Sequence, residues 1–283
     1  VATRNSDRLI LVIGATGKQG GAALRHLRVR GFPVRAVTRD PEKPQARALT
    51  GEGIEVVRGD LDDMDSLRRA MDGVWGVYSV QAYEQDRDAE VRQGKAIADA
   101  AQRSRVTHFV YSSAIAADRD TGIPHIESKR RIEDHIRGLG IPYTIFRPAF
   151  FMENWLWMKD QINAGALAYP LSPDRHLQMI AVDDIGAFVA LAFEHSGKWR
   201  NRAFNLAGDE LSMNDIAAHF SRKIGREVQY HQVPWDEFEK QAGADLTTMF
   251  RWIEEHGFDT DITAVRAEYE RLTTFDAWLN KNW

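Results

Sequence analysis

The chain has 283 residues, 43% of them hydrophobic, with 37 basic against 41 acidic side chains and a formal net charge of −4. It contains no cysteine, which excludes disulfides, thiol nucleophiles and cysteine-ligated zinc, and no long basic block of the kind that contacts nucleic acid directly. No apolar run approaches the ~18 residues of a membrane span, so the expected setting is cytoplasmic, away from membranes.

Val1 to Arg8 are polar and carry no apolar signal core, and residues 1–7 are expected to be disordered. The apolar run Leu9–Ile13 then leads into Gly14-Ala15-Thr16-Gly17-Lys18-Gln19-Gly20-Gly21, with a helix-patterned stretch from Ala22 to Arg30 behind it. A Gly-x-x-Gly-x-x-Gly turn between strand and helix lets backbone N–H groups approach a pyrophosphate, and the helix N-terminus adds positive partial charge. Gly14 is expected to make the tight turn, Gly17 to leave room for phosphates and Gly20 to let helix and strand pack closely. Thr16, Lys18 and Gln19 complete the expected cofactor loop. The competing reading is a flexible turn, against which the strand–helix context argues.

The second strand candidate, Pro33–Thr38, ends in Arg39-Asp40. At this place an acid binds the ribose 2′-hydroxyl of NAD, and an arginine accepts the 2′-phosphate of NADP. Arg39 comes first and Lys43 follows one helical turn on, which favours NADP(H), with NAD(H) as the alternative. Asp40 precedes Pro41 and suits a turn start; Arg39 as a plain surface arginine is the competing reading. After the third strand candidate, Ile54–Arg58, come Asp60 and Leu61, placed to meet adenine; Asp60 equally suits a cap for the acidic turn through Asp65. The fourth, Val74–Val80, ends at Val80-Gln81, beside the expected ribose and nicotinamide path. A helix over Asp86 to Arg103, a strand at His108–Ser112, a helix from Pro124 to Arg137 and a strand at Tyr143–Arg147 follow.

This alternation predicts an α/β chain with a Rossmann-like, doubly wound parallel sheet. After Arg147-Pro148 helices predominate: Ile185 to Phe193, Met213 to Ile224 capped by Ser212, then Leu246–His256, Ala264–Arg271 and Phe275–Asn280. Short strands are expected at Ala203–Leu206 and Glu227–Gln232. The expected division is a dinucleotide-binding domain over 1–148 and a smaller α+β lobe over 149–283 for substrate or partner, with chain crossovers and a ligand cleft between them.

With Gly14-Ala15-Thr16-Gly17-Lys18-Gln19-Gly20 stand Glu90-Val91-Arg92-Gln93-Gly94-Lys95, His125-Ile126-Glu127-Ser128-Lys129, Arg147-Pro148-Ala149-Phe150-Phe151-Met152-Glu153-Asn154 and Met249-Phe250-Arg251. Over nearly its whole length the chain resembles the NmrA-like family, atypical members of the short-chain dehydrogenase/reductase superfamily. That resemblance implies NAD(P) binding. The family includes nucleotide-sensing regulators without known turnover, and includes or lies near NADPH-dependent reductases of quinones and small aromatic substrates. The superfamily pattern is Tyr-x-x-x-Lys with a serine about a dozen residues earlier. It implies Lys129 as the nicotinamide-ribose ligand and Ser113, or Ser112, as the serine. His125 stands at the tyrosine position, a departure that bears against ordinary carbonyl reduction.

His125 and Lys129 lie four apart, on one helix face. Histidine is a competent general acid near neutral pH, although a cation at Lys129 favours its neutral form; the competing role is polar lining or packing. The resemblance places the loop from Phe150 to Trp155 over the nicotinamide end, with Phe150 against it and Asn154 on carboxamide or ribose. Those aromatics, with Trp157, Tyr169 and Trp235, suit either a flat apolar pocket or plain core. Histidines such as His26, His108, His219 and His256 show no ligand spacing, so no metal is expected.

Two functions compete. The first is an NADP(H)-binding redox sensor acting through a regulatory protein partner. The alternative is an NAD(P)H-dependent oxidoreductase on a quinone, enone or other flat aromatic carbonyl substrate. A weaker third is a scaffold whose nucleotide is structural.

Overall fold

A computed structural model describes residues 4–81 and 87–283. After a 3-10 turn at Asn5–Asp7 come β1 (Ile10–Val12), α1 (Lys18–Val29), β2 (Val34–Thr38), α2 (Pro44–Gly51), β3 (Glu55–Arg58), α3 (Met64–Ala70), β4 (Gly76–Ser79), α4 (Arg87–Arg103), β5 (His108–Ser112), α5 (Pro124–Gly138) and β6 (Tyr143–Pro148). The chain continues through β7 (Phe150–Phe151), a 3-10 segment at Met152–Met158, α6 (Lys159–Asn163), β8 (Ala166–Tyr169), β9 (His176–Ile180), α7 (Val182–Glu194), α8 (Ser196–Trp199), β10 (Arg202–Leu206) and β11 (Asp209–Ser212). It closes with α9 (Met213–Ile224), β12 (Gln229–Gln232), α10 (Trp235–Ala242), α11 (Ala244–His256), α12 (Ile262–Glu268) and α13 (Phe275–Asn282).

Among the described residues, a seven-stranded sheet has the order β10-β6-β5-β4-β1-β2-β3. The pairs β1–β2, β1–β4, β2–β3, β4–β5 and β5–β6 are parallel. The order reverses beside β1, at the carboxyl ends where such sheets bind ligands. One face packs Leu11, Val77, Phe109, Tyr111 and Ile145 against Leu67 and Ala70 of α3, Ile97 and Ala98 of α4, and Ile132 and Ile136 of α5. On the other, α7 is so close to α1 that a Cβ on Gly186 would lie 2.5 Å from the Ala22 carbonyl carbon. Only glycine admits that approach.

Two compact units result. One comprises 1–117, 127–147 and 182–204, the other 118–126, 148–181 and 205–283. So α7, which the sequence places within the C-terminal half, packs in the first unit. Its residues are apolar on nearly every side because ten of them are buried. The second unit holds the three-stranded sheet β11-β9-β7 and the pair β12-β8, around a core of Met152, Trp155, Leu177, Phe220, Phe250 and Trp278. Ser212 caps α9 with a full capping box to Asp215.

Boundaries differ from the sequence expectation in instructive ways. Helix α1 opens at Lys18 rather than Ala22, because Gly17, which lacks a capping side chain, is its N-cap. Helix α3 opens at Met64 and is capped by Asp63, not Asp60. Helix α2 fills the expected helical stretch between β2 and β3, and Pro44 at its first position supplies the start. Among the described residues no helix is long and apolar enough to cross a membrane.

Candidate functional site

The glycine turn of the first unit is built as a close backbone approach. Gly14 takes φ +71°, which favours glycine. The Gly17 N–H donates to the Gly14 carbonyl at 2.9 Å. The first helical bond of α1 runs from the Gly21 N–H to the Gly17 carbonyl at 2.8 Å, so the amides of Gln19 and Gly20 lie ahead of the ladder. A Cβ on Gly20 would sit 2.0 Å from the Gly14 oxygen, and one on Gly14 would meet Val80 Cγ1 at 3.1 Å. Turn, helix start and the end of β4 are therefore in contact. Thr16, Gly17 and Lys18 are exposed at the tip. Ser112, ending β5, donates its hydroxyl to Gln19 Oε1 at 2.6 Å. Gln81 is buried; its Nε2 donates to Ser79 Oγ at 2.8 Å, while Oε1 has no hydrogen-bond partner among the described residues.

At the far edge, the β2–β3 register pairs Thr38 with Arg58. That pairing brings Arg39 and Arg58 to one groove, a cavity of about 640 Å³ lined also by Gly59, Asp60, Asp63, Ser66 and Arg69. Arg58 and Arg69 escaped the sequence reading. Arg58 was visible as the last residue of a strand, but only the register joins it to Arg39. Nearby, hydrogen bonds from Gln93 and Arg92 to Asp62, with the charges of Arg92 and Arg39, hold the Asp62 carboxyl below the usual carboxylate range. Asp60 folds back locally: its Oδ1 accepts the Asp62 N–H at 3.1 Å, and its own N–H donates to Ser66 Oγ at 2.8 Å. Leu61 is half-buried against the core. Lys43 is exposed as the N-cap residue of α2 and does not line the groove.

On α5 the side chains are arranged differently from the sequence expectation. Lys129 Nζ lies 2.5 Å from Glu90 Oε1, a carboxylate whose side chain is 1% exposed. The other oxygen of Glu90 accepts the Ser128 hydroxyl at 2.6 Å. The positive charge expected to bear on His125 is thus countered from α4. The buried Ser113 hydroxyl lies by Glu133, without strict hydrogen-bond geometry. Glu133 accepts from Arg147 at 2.9 and 2.7 Å and from Arg137 at 2.7 Å. Burial raises its pKa, and these partners more than offset that, leaving it low. Burial first, then Glu90 and Glu133, pushes the neighbouring Tyr111 phenol well up.

The remaining candidates lie in the second unit. His125, four positions before Lys129 on α5, pairs its Nδ1 with Asp245 Oδ2 at 3.1 Å, both side chains nearly buried. Phe150 packs against Trp155 at 5.2 Å between ring centroids, and Tyr169 against Phe250 at 5.0 Å, so these rings are core. Trp157 is 78% exposed, and Trp235 carries Arg251 over its ring at 4.9 Å. Asn154 is half-buried in the 3-10 segment. Among the described residues no group of three or more histidine, aspartate or glutamate side chains could hold a metal ion.

A family model, the NmrA-like family, matches residues 6–279. The chain belongs to the NmrA-like family. Among its relatives, an NAD(P)H azoreductase of Xenophilus azovorans is 30% identical over 223 residues, covering 78% of this chain and 76% of that one. Among solved structures, the triphenylmethane reductase of Citrobacter sp. complexed with NADP(H) aligns with a TM-score of 0.86 at 22% identity, covering 98% of this family member and all of that chain. NmrA, a negative transcriptional regulator solved in complex with NADP, aligns with a TM-score of 0.80 at 21% identity, covering 97% and 95%. These two likenesses show the shared fold.

Proposed function

We propose that this NmrA-like protein binds NADP(H) and uses it to reduce a flat, conjugated aromatic substrate. The observation that carries the cofactor assignment is the convergence of Arg39, Arg58 and Arg69 on one groove at the ends of β2 and β3. A guanidinium cluster at this edge suits a 2′-phosphate, where a carboxylate would suit a bare ribose. The turn fits the rest of a dinucleotide. Gly14, Gly17 and Gly20 put no side chains of their own on the approach to the α1 amides, and Gln81 Oε1, which has no hydrogen-bond partner among the described residues, offers an acceptor just past β4. Lys129 would hold the nicotinamide ribose.

When bound, the reduced nicotinamide supplies a hydride. What this chain adds is the environment for its acceptor. The superfamily phenol is replaced by His125, whose ring Asp245 orients through Nδ1. A site without that phenol favours substrates that take a hydride at an electron-poor carbon or nitrogen and need little proton donation at oxygen. The azoreductase and triphenylmethane reductase relatives support this class.

A second reading, a redox sensor signalling through a protein partner, is favoured by the same replacement at position 125 and by likeness to NmrA. The test is NADPH oxidation by the purified protein against azo dyes, triphenylmethane dyes, quinones and aldehydes. Turnover with dyes or quinones supports the reductase; tight NADPH binding with no turnover across the panel supports the sensor.

A further inference from the structure

The superfamily pattern points to Lys129, but nothing in that pattern accounts for Glu90. This carboxylate is buried on α4, 39 positions earlier, and is engaged at both oxygens: Oε1 stands 2.5 Å from Lys129 Nζ, and Oε2 accepts the Ser128 hydroxyl at 2.6 Å. Placing a carboxylate with 1% side-chain exposure costs free energy unless its charge is countered. Lys129 is the counter-charge. Its ammonium also sits 6.0 Å from the centroid of the Tyr111 ring. Tyr111 directly precedes Ser112, the residue whose hydroxyl reaches Gln19 of the glycine turn. The held ammonium therefore stands at the same end of β5 as the turn.

We infer that Glu90 is a positioning residue, which holds Lys129 in one rotamer so that its remaining N–H donors meet the nucleotide ribose. The inference rests on the dinucleotide reading above. The physical reason is order. A lysine has four rotatable side-chain bonds and three donors, and an unheld one loses most of its rotamers when it binds a ligand. Glu90 and Ser128 impose that order before the ligand arrives, from behind, by a buried charge pair. The side chain of Lys129 keeps 13% exposure, against 1% for Glu90.

The test compares E90Q, K129M and the double variant by calorimetry with NADPH, alongside denaturation midpoints and the rate of Lys129 acylation followed by mass spectrometry. E90Q keeps size and the Ser128 contact and removes the charge. The expected results are about a tenfold weaker NADPH affinity in E90Q and in K129M, the worth of one charge-assisted hydrogen bond, with the double variant no weaker than K129M. Lys129 acylation should quicken in E90Q without any nucleotide present. If E90Q does not fold, E90D draws the charge back by one methylene and should show the same non-additivity with K129M. Additive losses, an unchanged affinity in K129M, or equal acylation rates in wild type and E90Q would overturn the role of Glu90 alone. Wild-type protein that binds neither NADPH nor NADH overturns the dinucleotide reading and this role with it.

Discussion

The Gly20 α-carbon lies so close to the Gly14 carbonyl that a side chain there would put its Cβ 2.0 Å from the oxygen. Turn and helix are locked together by the absence of a methyl group. Gly20→Ala is expected to lower stability by about 1–3 kcal/mol, the usual cost of overpacking, and to weaken nucleotide binding by moving the start of α1. At Gly17 the contact is a milder 3.3 Å. Gly17→Ala should therefore fold with a near-native denaturation midpoint while losing NADPH affinity. A Gly20→Ala variant of unchanged midpoint would refute the packing argument.

Arg39 and Arg58 are expected to share the preference for NADPH. Arg39→Ala and Arg58→Ala should each cost about 1.5–3 kcal/mol of NADPH affinity and leave NADH binding nearly unchanged. Calorimetry with both dinucleotides decides it; equal losses for the two would show that the groove does not read the 2′-phosphate.

His108 makes the fold sensitive to mild acid. Its Nε2 lies 2.7 Å from Thr144 Oγ1, and Thr144 donates onward to the Trp199 carbonyl, so the imidazole donates to Thr144 in its neutral form. Burial, with the charge of Arg200, pushes its pKa down to about 4. The folded value is depressed, so the contribution is fully present above the unfolded value of about 6.5 and is lost as pH falls toward 4. It amounts to about 3 kcal/mol. Urea titrations between pH 7 and 4 should show a smaller loss of stability in His108→Asn than in wild type. Parallel slopes would contradict this.

His125 tests how protons reach the substrate. If it donates to a reacting oxygen or nitrogen, His125→Ala should lower turnover of quinones or azo dyes by about 10²–10⁴-fold. Reduction of a cationic triphenylmethane dye, which needs only the hydride, should be nearly unaffected. Asp245→Asn should follow His125→Ala in direction, because it removes the carboxylate that orients the ring. Equal losses on both substrate types would assign His125 a binding role.

Hydrogen exchange offers a fifth check. Added NADPH should slow exchange in 39–51 and 113–124, polar segments expected at the carboxyl edge of the sheet. A third segment expected at that edge, Tyr83–Asp88, lies largely outside the described residues. Protection confined to the C-terminal helices would contradict the site.

What the sequence by itself determined was local. The strand–glycine–helix turn, the alternation that makes a parallel sheet, and the Ser212 cap all depend on neighbours within a few positions, so periodicity and turn chemistry reveal them. Tertiary structure alone decided the partners of the charged side chains. Arg58 joined Arg39 through a strand register, Lys129 found Glu90 on another helix, and His125 met Asp245, 120 positions later. Buried charges take whichever counter-charge the packing brings within reach, and residue spacing carries no record of that choice. The return of α7 to the first sheet was equally hidden: an apolar helix states that it is buried, and the surface that buries it, with Gly186 against Ala22, exists only once the chain has folded.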